Sequence, residues 1–155
     1  MRKKILISGG GGKFARQLVA HGSKRFDIIA PHRKEMNINN PRQIYSYIAR
    51  HNPDYFIHAA AMTRPMKNHE IAPIKSMKIN IEGTCNVVDA CDTTNVKLIY
   101  ISTDYVYPGV KGCYSESDGV LPFTKYGWSK LGGECAVMMY SKSLILRIAM
   151  CEKPF

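Results

Sequence analysis

The chain has 155 residues, 45% of them hydrophobic and 22% charged, the composition of one globular domain that can bury a core and is too short for two. Its apolar runs fall well short of the roughly 18 residues of a membrane span, and the opening "MRKKILISGG" runs into glycines too soon for a signal peptide, so a cytoplasmic protein is expected. The formal charge of +10 suits nucleic acid, an anionic membrane or a phosphate-bearing small molecule, but the basic residues are scattered, with no RNA-binding aromatic pattern or helix-turn-helix signature, so neither nucleic acid nor membrane is the expected partner.

Short β-rich runs alternate with helix-length stretches. "KKILIS" reads as a strand, "GKFARQLVAHG" as a helix, "FDIIAPH" as a strand and "PRQIYSYIARHN" as a helix with Pro41 in its first turn. "DYFIHAAA" is the third strand, followed by a helical region from about Ile71 to Asp92 with Ile79, Val87 and Val88 as candidate core positions. "VKLIYIS" is the fourth strand, "PFTKYGWSKLGGECAVMMY" contains a helix, and "SLILRIAM" is the fifth strand. Continuous apolar strands separated by helices imply a parallel sheet with helices on both faces. Residues 102–122, rich in Gly, Ser and Asp, form the one long loop. The five cysteines (Cys85, Cys91, Cys113, Cys135, Cys151) are odd in number and lack a C-x-x-C pair, which reads as reduced thiols rather than a disulfide framework or zinc site. The histidine spacing gives no metal motif.

"SGGGGKFA" lies where the first strand turns into the first helix. Gly10, Gly12 and Ala15 satisfy G-x-G-x-x-[GA], and Gly9, Gly12 and Ala15 form a looser register. Glycines are needed there for a tight turn and for backbone to approach a pyrophosphate at a helix N-terminus. A Walker A loop is excluded because Phe14 follows Gly12 and Lys13 where a hydroxyl is required. Past the second strand, where an NAD enzyme places a carboxylate, the chain has His32, Arg33 and Lys34. Cations there suit a 2′-phosphate, so NADP(H) is expected over NAD(H), a preference that nearby Glu35 softens.

Tyr126 and Lys130 are spaced i, i+4, on one helix face with Cβ atoms about 5–6 Å apart. An ammonium at that distance is expected to lower the tyrosine pKa from about 10 and make it a proton donor near neutrality. Together with "IYISTDYVYPG", "EMNINNPRQIYSYIARHNPDYFIHAAAMT", "KINIEGTCNVVDAC", "YGWSKLGGE" and the glycine loop, all in order, this pattern resembles the extended short-chain dehydrogenase/reductases, and within them the dTDP-4-dehydrorhamnose reductase type. The resemblance covers essentially the whole chain.

The resemblance implies a Rossmann-type doubly wound parallel sheet over residues 1–155 and NADP(H)-dependent reduction of the 4-keto group of a nucleotide-linked 4-keto-6-deoxy sugar, in nucleotide-sugar and rhamnose biosynthesis. Carried over by position, Thr103 hydrogen-bonds the substrate carbonyl, Tyr126 donates the proton, Lys130 binds the nicotinamide ribose and tunes Tyr126, and Asn80 holds the proton-relay position. Gly9, Gly10, Gly12, Lys13, Phe14 and Ala15 form the pyrophosphate loop, Asn37 and Ile38 lie near the adenine, and Ala59, Ala60 and Ala61 line the cleft. Helices matching Ile71 to Asp92 and Phe123 to Tyr140 pair across a two-fold axis in that superfamily, which implies a homodimer.

This sequence departs from the pattern at Asn37, where Asp is usual, and at Ala15, where Gly is often found. Family members also continue past the strand matching "SLILRIAM" into a portion that supplies most of the sugar-nucleotide pocket, whereas this chain stops at "CEKPF", as a fragment or as a natural short form. A rival reading is a non-catalytic NADP-binding regulatory subunit of the same fold, since the regulatory subunit of methionine adenosyltransferase is similar to these reductases. Elsewhere, His58 reads as a buried, hydrogen-bonded residue, Ser102 and Thr103 point to opposite faces of their strand, Asp104 braces the loop or contacts substrate, and Met138, Met139 and Tyr140 read as helix packing or a subunit surface.

Overall fold

In the computed structural model, which describes residues 2–149, the apolar runs form one five-stranded parallel sheet. The strands are β1 (Lys4–Ser8), β2 (Asp27–Ile29), β3 (Tyr55–His58), β4 (Lys97–Thr103) and β5 (Ser143–Ile148), in the order β2-β1-β3-β4-β5. Parallel neighbours require crossovers, supplied by α1 (Lys13–Gly22), α2 (Pro41–His51), the series α3 (Lys67–Ile71), α4 (Pro73–Met77) and α5 (Gly83–Thr94), and α6 (Lys125–Met138). The chain runs outward from β1 to β2 and then back over β1 to β3. Strand order therefore reverses between β1 and β3, where such sheets open a crevice beyond the strands' carboxyl ends.

Alternation along the strands divides the core in two. Leu6, Phe56, Leu98 and Tyr100 face α2, α5 and α6 through Ile44, Ile48, Val87, Ala90, Cys91, Val137 and Tyr140. Ile5, Ile7 and Ile57 face α1 through Phe14, Ala15 and Leu18. Register aligns Leu6 with Phe56 and Phe56 with Leu98, and burial of each such side chain contributes about 1.5–3 kcal/mol. Of the expected core positions in α5 and the turn before it, Val87 is fully buried, while Ile79 and Val88 pack at the margin.

Several boundaries differ from expectation. β2 stops at Ile29, and Pro31 beyond it accepts the Gly10 N–H. β3 stops at His58 because the Ala59 and Ala60 N–H groups donate to Ser8 Oγ, so "AAA" is not strand. The helical region begins at Lys67 and breaks at Ala72 (φ −131°, ψ 62°), since Pro73 disfavours helical backbone in the residue before it. Lys78–Glu82 form a π-helical turn, and α5 ends at Asn95 in the left-handed region, φ 60°. Ser102 and Thr103 belong to β4, and a short 3₁₀ turn at Asp104–Val106 opens the long loop. Tyr140 joins the core, whereas Met138 and Met139 are exposed rather than packed. Cys85, Cys113 and Cys135 are exposed and Cys91 is buried, all as free thiols. Cys151, Met150 of the fifth run and the ending "CEKPF" lie outside the described residues.

Candidate active site

The glycine loop follows β1 at the reversal of strand order. Gly9 takes a positive φ of 77°, and a Cβ on Gly10 would lie 2.0 Å from the Ala30 carbonyl oxygen, so neither position admits a side chain without moving the backbone. The loop is closed by Gly12 N–H to Gly9 O (2.8 Å) and pinned to β2 by Gly10 N–H to Pro31 O (3.0 Å). α2 and α6 carry side-chain caps, Asn40 and Thr124, whereas Gly12 offers none to α1, whose first turn also holds no acid. The start of α1 thus lacks a side-chain cap, which fits a dinucleotide pyrophosphate.

The other expected contacts divide by position. Lys13 is exposed at the mouth of α1, while Phe14 and Ala15 point behind the loop into the core. His32 lies beside the loop, its Nδ1 3.0 Å from where a Gly11 Cβ would stand, and Arg33 and Lys34 are exposed beyond it. Asn37 donates its N–H to Gln43 Oε1 (2.8 Å) and accepts from Asn39 N–H. Ile38 commits its side chain to the core. Ala59, Ala60 and Ala61 form the opposite lip after β3, and Gly9 packs against Ala60.

Thr103 ends β4 and Tyr126 lies in the first turn of α6, so both reach the carboxyl edge of the sheet. Thr103 Oγ1 donates to Asp104 Oδ1 (3.0 Å) and accepts the Tyr105 N–H (3.3 Å). The Tyr126 ring sits between His69 (5.0 Å between centroids) and Tyr105 (5.7 Å). Its phenol pKa is raised, first by burial and then by Asp104 and Tyr105, while a hydrogen bond with Thr103 and the charge of Arg64 act the other way. This corrects the expected lowering by Lys130. That lysine is turned inward, donating to the Ile101 carbonyl (2.8 Å) with its Nζ 4.0 Å from the Tyr100 ring centre. Burial pushes its own pKa down to about 7, against an opposing pull from Glu134.

Asn80, buried in the π-helical turn, is fully engaged. It clamps Met62 through both backbone groups (2.8 and 2.9 Å) and donates to Ser129 Oγ (2.8 Å), which in turn donates to the Tyr126 carbonyl (2.7 Å). A directional chain leads into it from the glycine loop. Ser8 Oγ accepts the Ala59 and Ala60 N–H groups, and its hydroxyl pairs with His58 Nδ1 at 2.8 Å. His58 Nε2 meets Thr84 Oγ1 at 3.0 Å, and the Thr84 hydroxyl donates to the Asn80 carbonyl. Because the Thr84 proton is committed there, His58 must carry its hydrogen on Nε2 and accept on Nδ1.

Burial, with a smaller contribution from Lys130, holds the His58 pKa down at about 3. The unfolded chain, with histidine near 6.5, binds the extra proton between these values, so the native state loses stability as pH falls through that window. His58→Asn, which does not titrate there, is expected to gain about 2 kcal/mol relative to the parent between pH 7 and pH 5. Urea unfolding at the two pH values measures this, and a pH-independent difference would mean that His58 is not held neutral.

Residues not anticipated complete the site. Glu134 lies one further helical turn past Tyr126 and Lys130, and its buried carboxylate accepts from Ser102 Oγ (2.5 Å) and from Arg147 of β5 (Nη2 to Oε2, 2.8 Å). Arg147 also donates to the Tyr107 hydroxyl (2.9 Å), which donates to the Ser115 carbonyl (2.9 Å). Ser102 and Thr103 therefore do face opposite ways. The same i+4 spacing that marks Lys130 also marks Glu134, whereas the lone arginine in the fifth apolar run was the only sign of its partner. A cleft of about 290 Å³ lined by Asp104, Tyr105, Tyr107, Gly109, Lys111, Tyr114 and Phe123 adjoins Tyr126 through Tyr105. Among the described residues no cluster of three or more His, Cys, Asp or Glu side chains could hold a metal, and no helix is long and apolar enough to cross a membrane.

The chain is 33% identical over 148 residues to a dTDP-4-dehydrorhamnose reductase of Aggregatibacter actinomycetemcomitans, an alignment covering 93% of this chain and 50% of that protein. It is 28% identical over 146 residues to methionine adenosyltransferase 2 subunit beta of Bos taurus, covering 88% of this chain and 43% of that one. The crystal structure of dTDP-4-dehydrorhamnose reductase from Bacillus anthracis in complex with NADP superposes with a TM-score of 0.90 at 32% identity, over 95% of this chain and 53% of that one. The chain thus spans about half the length of the relatives it matches. With residues 2–151 matching the family model of the RmlD substrate binding domain, on this fold and with this site, the chain belongs to that family.

Proposed function

We infer that the protein takes part in the nicotinamide-dependent reduction of a nucleotide-linked keto sugar, with NADP(H) as the preferred cofactor and the C4 ketone of a 4-keto-6-deoxy sugar as the group reduced. The observation that carries this reading is the juxtaposition of the Thr103 hydroxyl and the Tyr126 phenol at the strand ends, at the same carboxyl edge as the uncapped start of α1. Relatives that carry this activity in their names support it. When bound, the nicotinamide supplies the hydride for the carbonyl carbon. Tyr126 delivers its proton to the carbonyl oxygen, and its burial-raised pKa keeps that proton in place until charge develops. Thr103, on turning from Asp104, gives the same oxygen a second hydroxyl donor. Lys130, with its pKa near 7, exchanges the Ile101 carbonyl for the ribose edge and adds positive charge behind Tyr126.

Titration is expected to show tighter binding of NADPH than of NADH, because His32, Arg33 and Lys34 follow β2 beside the loop. Equal affinities, or a preference for NADH, would remove that cluster from the 2′-phosphate. A second reading, a non-catalytic dinucleotide-binding subunit, is favoured by the similarity to methionine adenosyltransferase 2 subunit beta. NADPH oxidation by the full-length protein with a nucleotide-linked 4-keto-6-deoxy sugar separates the two readings. Binding of NADPH without any reduction supports the subunit.

A further inference from the structure

Residues 61–75 join the lip after β3 to α4. In this stretch one side chain is buried, and it is polar: His69 is 0% exposed, while Ile71 and Ile74 stand 75% and 60% exposed. Burying an imidazole costs free energy unless its nitrogens are bonded, and an apolar neighbour would anchor the segment at less cost. Both nitrogens are bonded. Nε2 donates to the Thr63 carbonyl (3.0 Å), which can only accept, and Nδ1 pairs with the Ser76 hydroxyl (2.7 Å). One side chain thus ties the two ends of the segment together.

The tie aims the imidazole at Tyr126. The two ring centres lie 5.0 Å apart with planes inclined at 58°, and Tyr105 meets the phenol ring at 5.7 Å and 70°. The next residue fixes the helix that carries Tyr126: Glu70 accepts the Lys125 N–H (3.2 Å) and pairs with the Lys125 ammonium (3.3 Å). Asn80 grips Met62, beside Thr63, and also Ser129, whose hydroxyl donates to the Tyr126 carbonyl. α3 therefore holds both the start of α6 and a wall against the Tyr126 ring.

We propose that His69 is a positioning residue for Tyr126: its ring, aimed by Thr63 and Ser76, fixes the angle at which the phenol meets a carbonyl oxygen. This role rests on the reductase reading above. A misplacement of about 1 Å in a reacting group costs on the order of 10²-fold in rate. His69 acts on the phenol alone, so its loss falls on turnover and leaves the affinity for cofactor and sugar in place.

The test is steady-state reduction of a dTDP-linked 4-keto-6-deoxy sugar by the full-length protein, with NADPH titration and thermal melts, in the parent, His69→Gln and His69→Phe. Glutamine offers a donor and an acceptor but no ring, whereas phenylalanine keeps a ring and drops both bonds. The expected result is a fall in kcat of about 10²-fold in His69→Gln, with KM and NADPH affinity close to the parent, and recovery of most of that loss in His69→Phe. The decisive measurement repeats His69→Gln in a Tyr126→Phe background. A residue that acts through the phenol has little left to disturb there, so the two losses do not add. Parent-like kcat in His69→Gln, a rise in KM with kcat kept, additive losses in the double variant, or equal losses in the two His69 variants would each overturn the proposal, the last marking His69 as a brace of the segment. Where a His69 variant does not fold, Ser76→Ala carries the test, because it frees the ring from one of its two bonds. Its kcat is expected to fall with KM kept, and an unchanged kcat overturns the role. If the parent binds NADPH and reduces no such sugar, the reductase reading itself fails and takes this inference with it. Parent turnover that these variants leave unchanged overturns the role of His69 alone.

Discussion

Tyr126→Phe is expected to lower reduction of a nucleotide-linked keto sugar by roughly 10²–10⁴ in the full-length protein while leaving NADPH affinity nearly unchanged. The variant should fold, because the ring is held by contacts that phenylalanine also makes, against His69 and Tyr105. The helix start is likewise fixed by the Thr124 cap, whose hydroxyl accepts the Gly127 N–H at 3.0 Å. What is lost is the phenolic proton. Lys130→Met should instead lower both binding and turnover, since one amine serves the ribose edge and the field behind Tyr126, and in the free protein it also holds the Ile101 carbonyl. Parent-level turnover in Tyr126→Phe would remove it as the proton donor. If the parent binds NADPH and reduces none of the nucleotide-linked keto sugars offered, the subunit reading takes its place.

Local pattern made the fold legible, because parallel strands buried on both faces are written as continuous apolar runs. "KILIS", "YFIH" and "KLIYIST" became β1, β3 and β4. The glycine loop was legible because a backbone approach as close as Gly10 to Ala30 leaves no room for a Cβ. The Tyr126–Lys130 pair was legible as spacing, but its electrostatics were not. Spacing places two side chains on one face without saying where each turns, and Lys130 turns to Ile101 and Tyr100 while burial governs the phenol. The chain through Ser8, His58, Thr84, Asn80 and Ser129 joins segments up to 50 residues apart in a single bond. No local pattern encodes such pairings, and Asn80 drew attention only through resemblance. The same limit hid the partners of Glu134.

Arg147→Ala is expected to cost about 3–5 kcal/mol of stability, because it strands a buried charge. The Glu134 side chain is 1% exposed, and three of its contacts come from Arg147: Nε to both oxygens (3.1 and 3.2 Å) and Nη2 to Oε2 (2.8 Å). Without the guanidinium, the Ser102 hydroxyl is the hydrogen-bond donor left to the carboxylate among the described residues. Pairing the change with Glu134→Leu should recover part of the loss, since no unpaired buried charge then remains, although the space left by the guanidinium is not refilled. The loop reports separately. Arg147 holds the Tyr107 hydroxyl, which holds the Ser115 carbonyl, and its guanidinium lies 5.0 Å from the Tyr107 ring centre. Amide exchange around Ser115 should therefore quicken in Arg147→Ala and, to a smaller degree, in Tyr107→Phe, which loses only the hydroxyl. Urea unfolding of Arg147→Ala within about 1 kcal/mol of the parent would mean that the Glu134 carboxylate is hydrated in the native protein. The ion pair would then be a surface contact and not the tie between α6, β5 and the loop beside Tyr126.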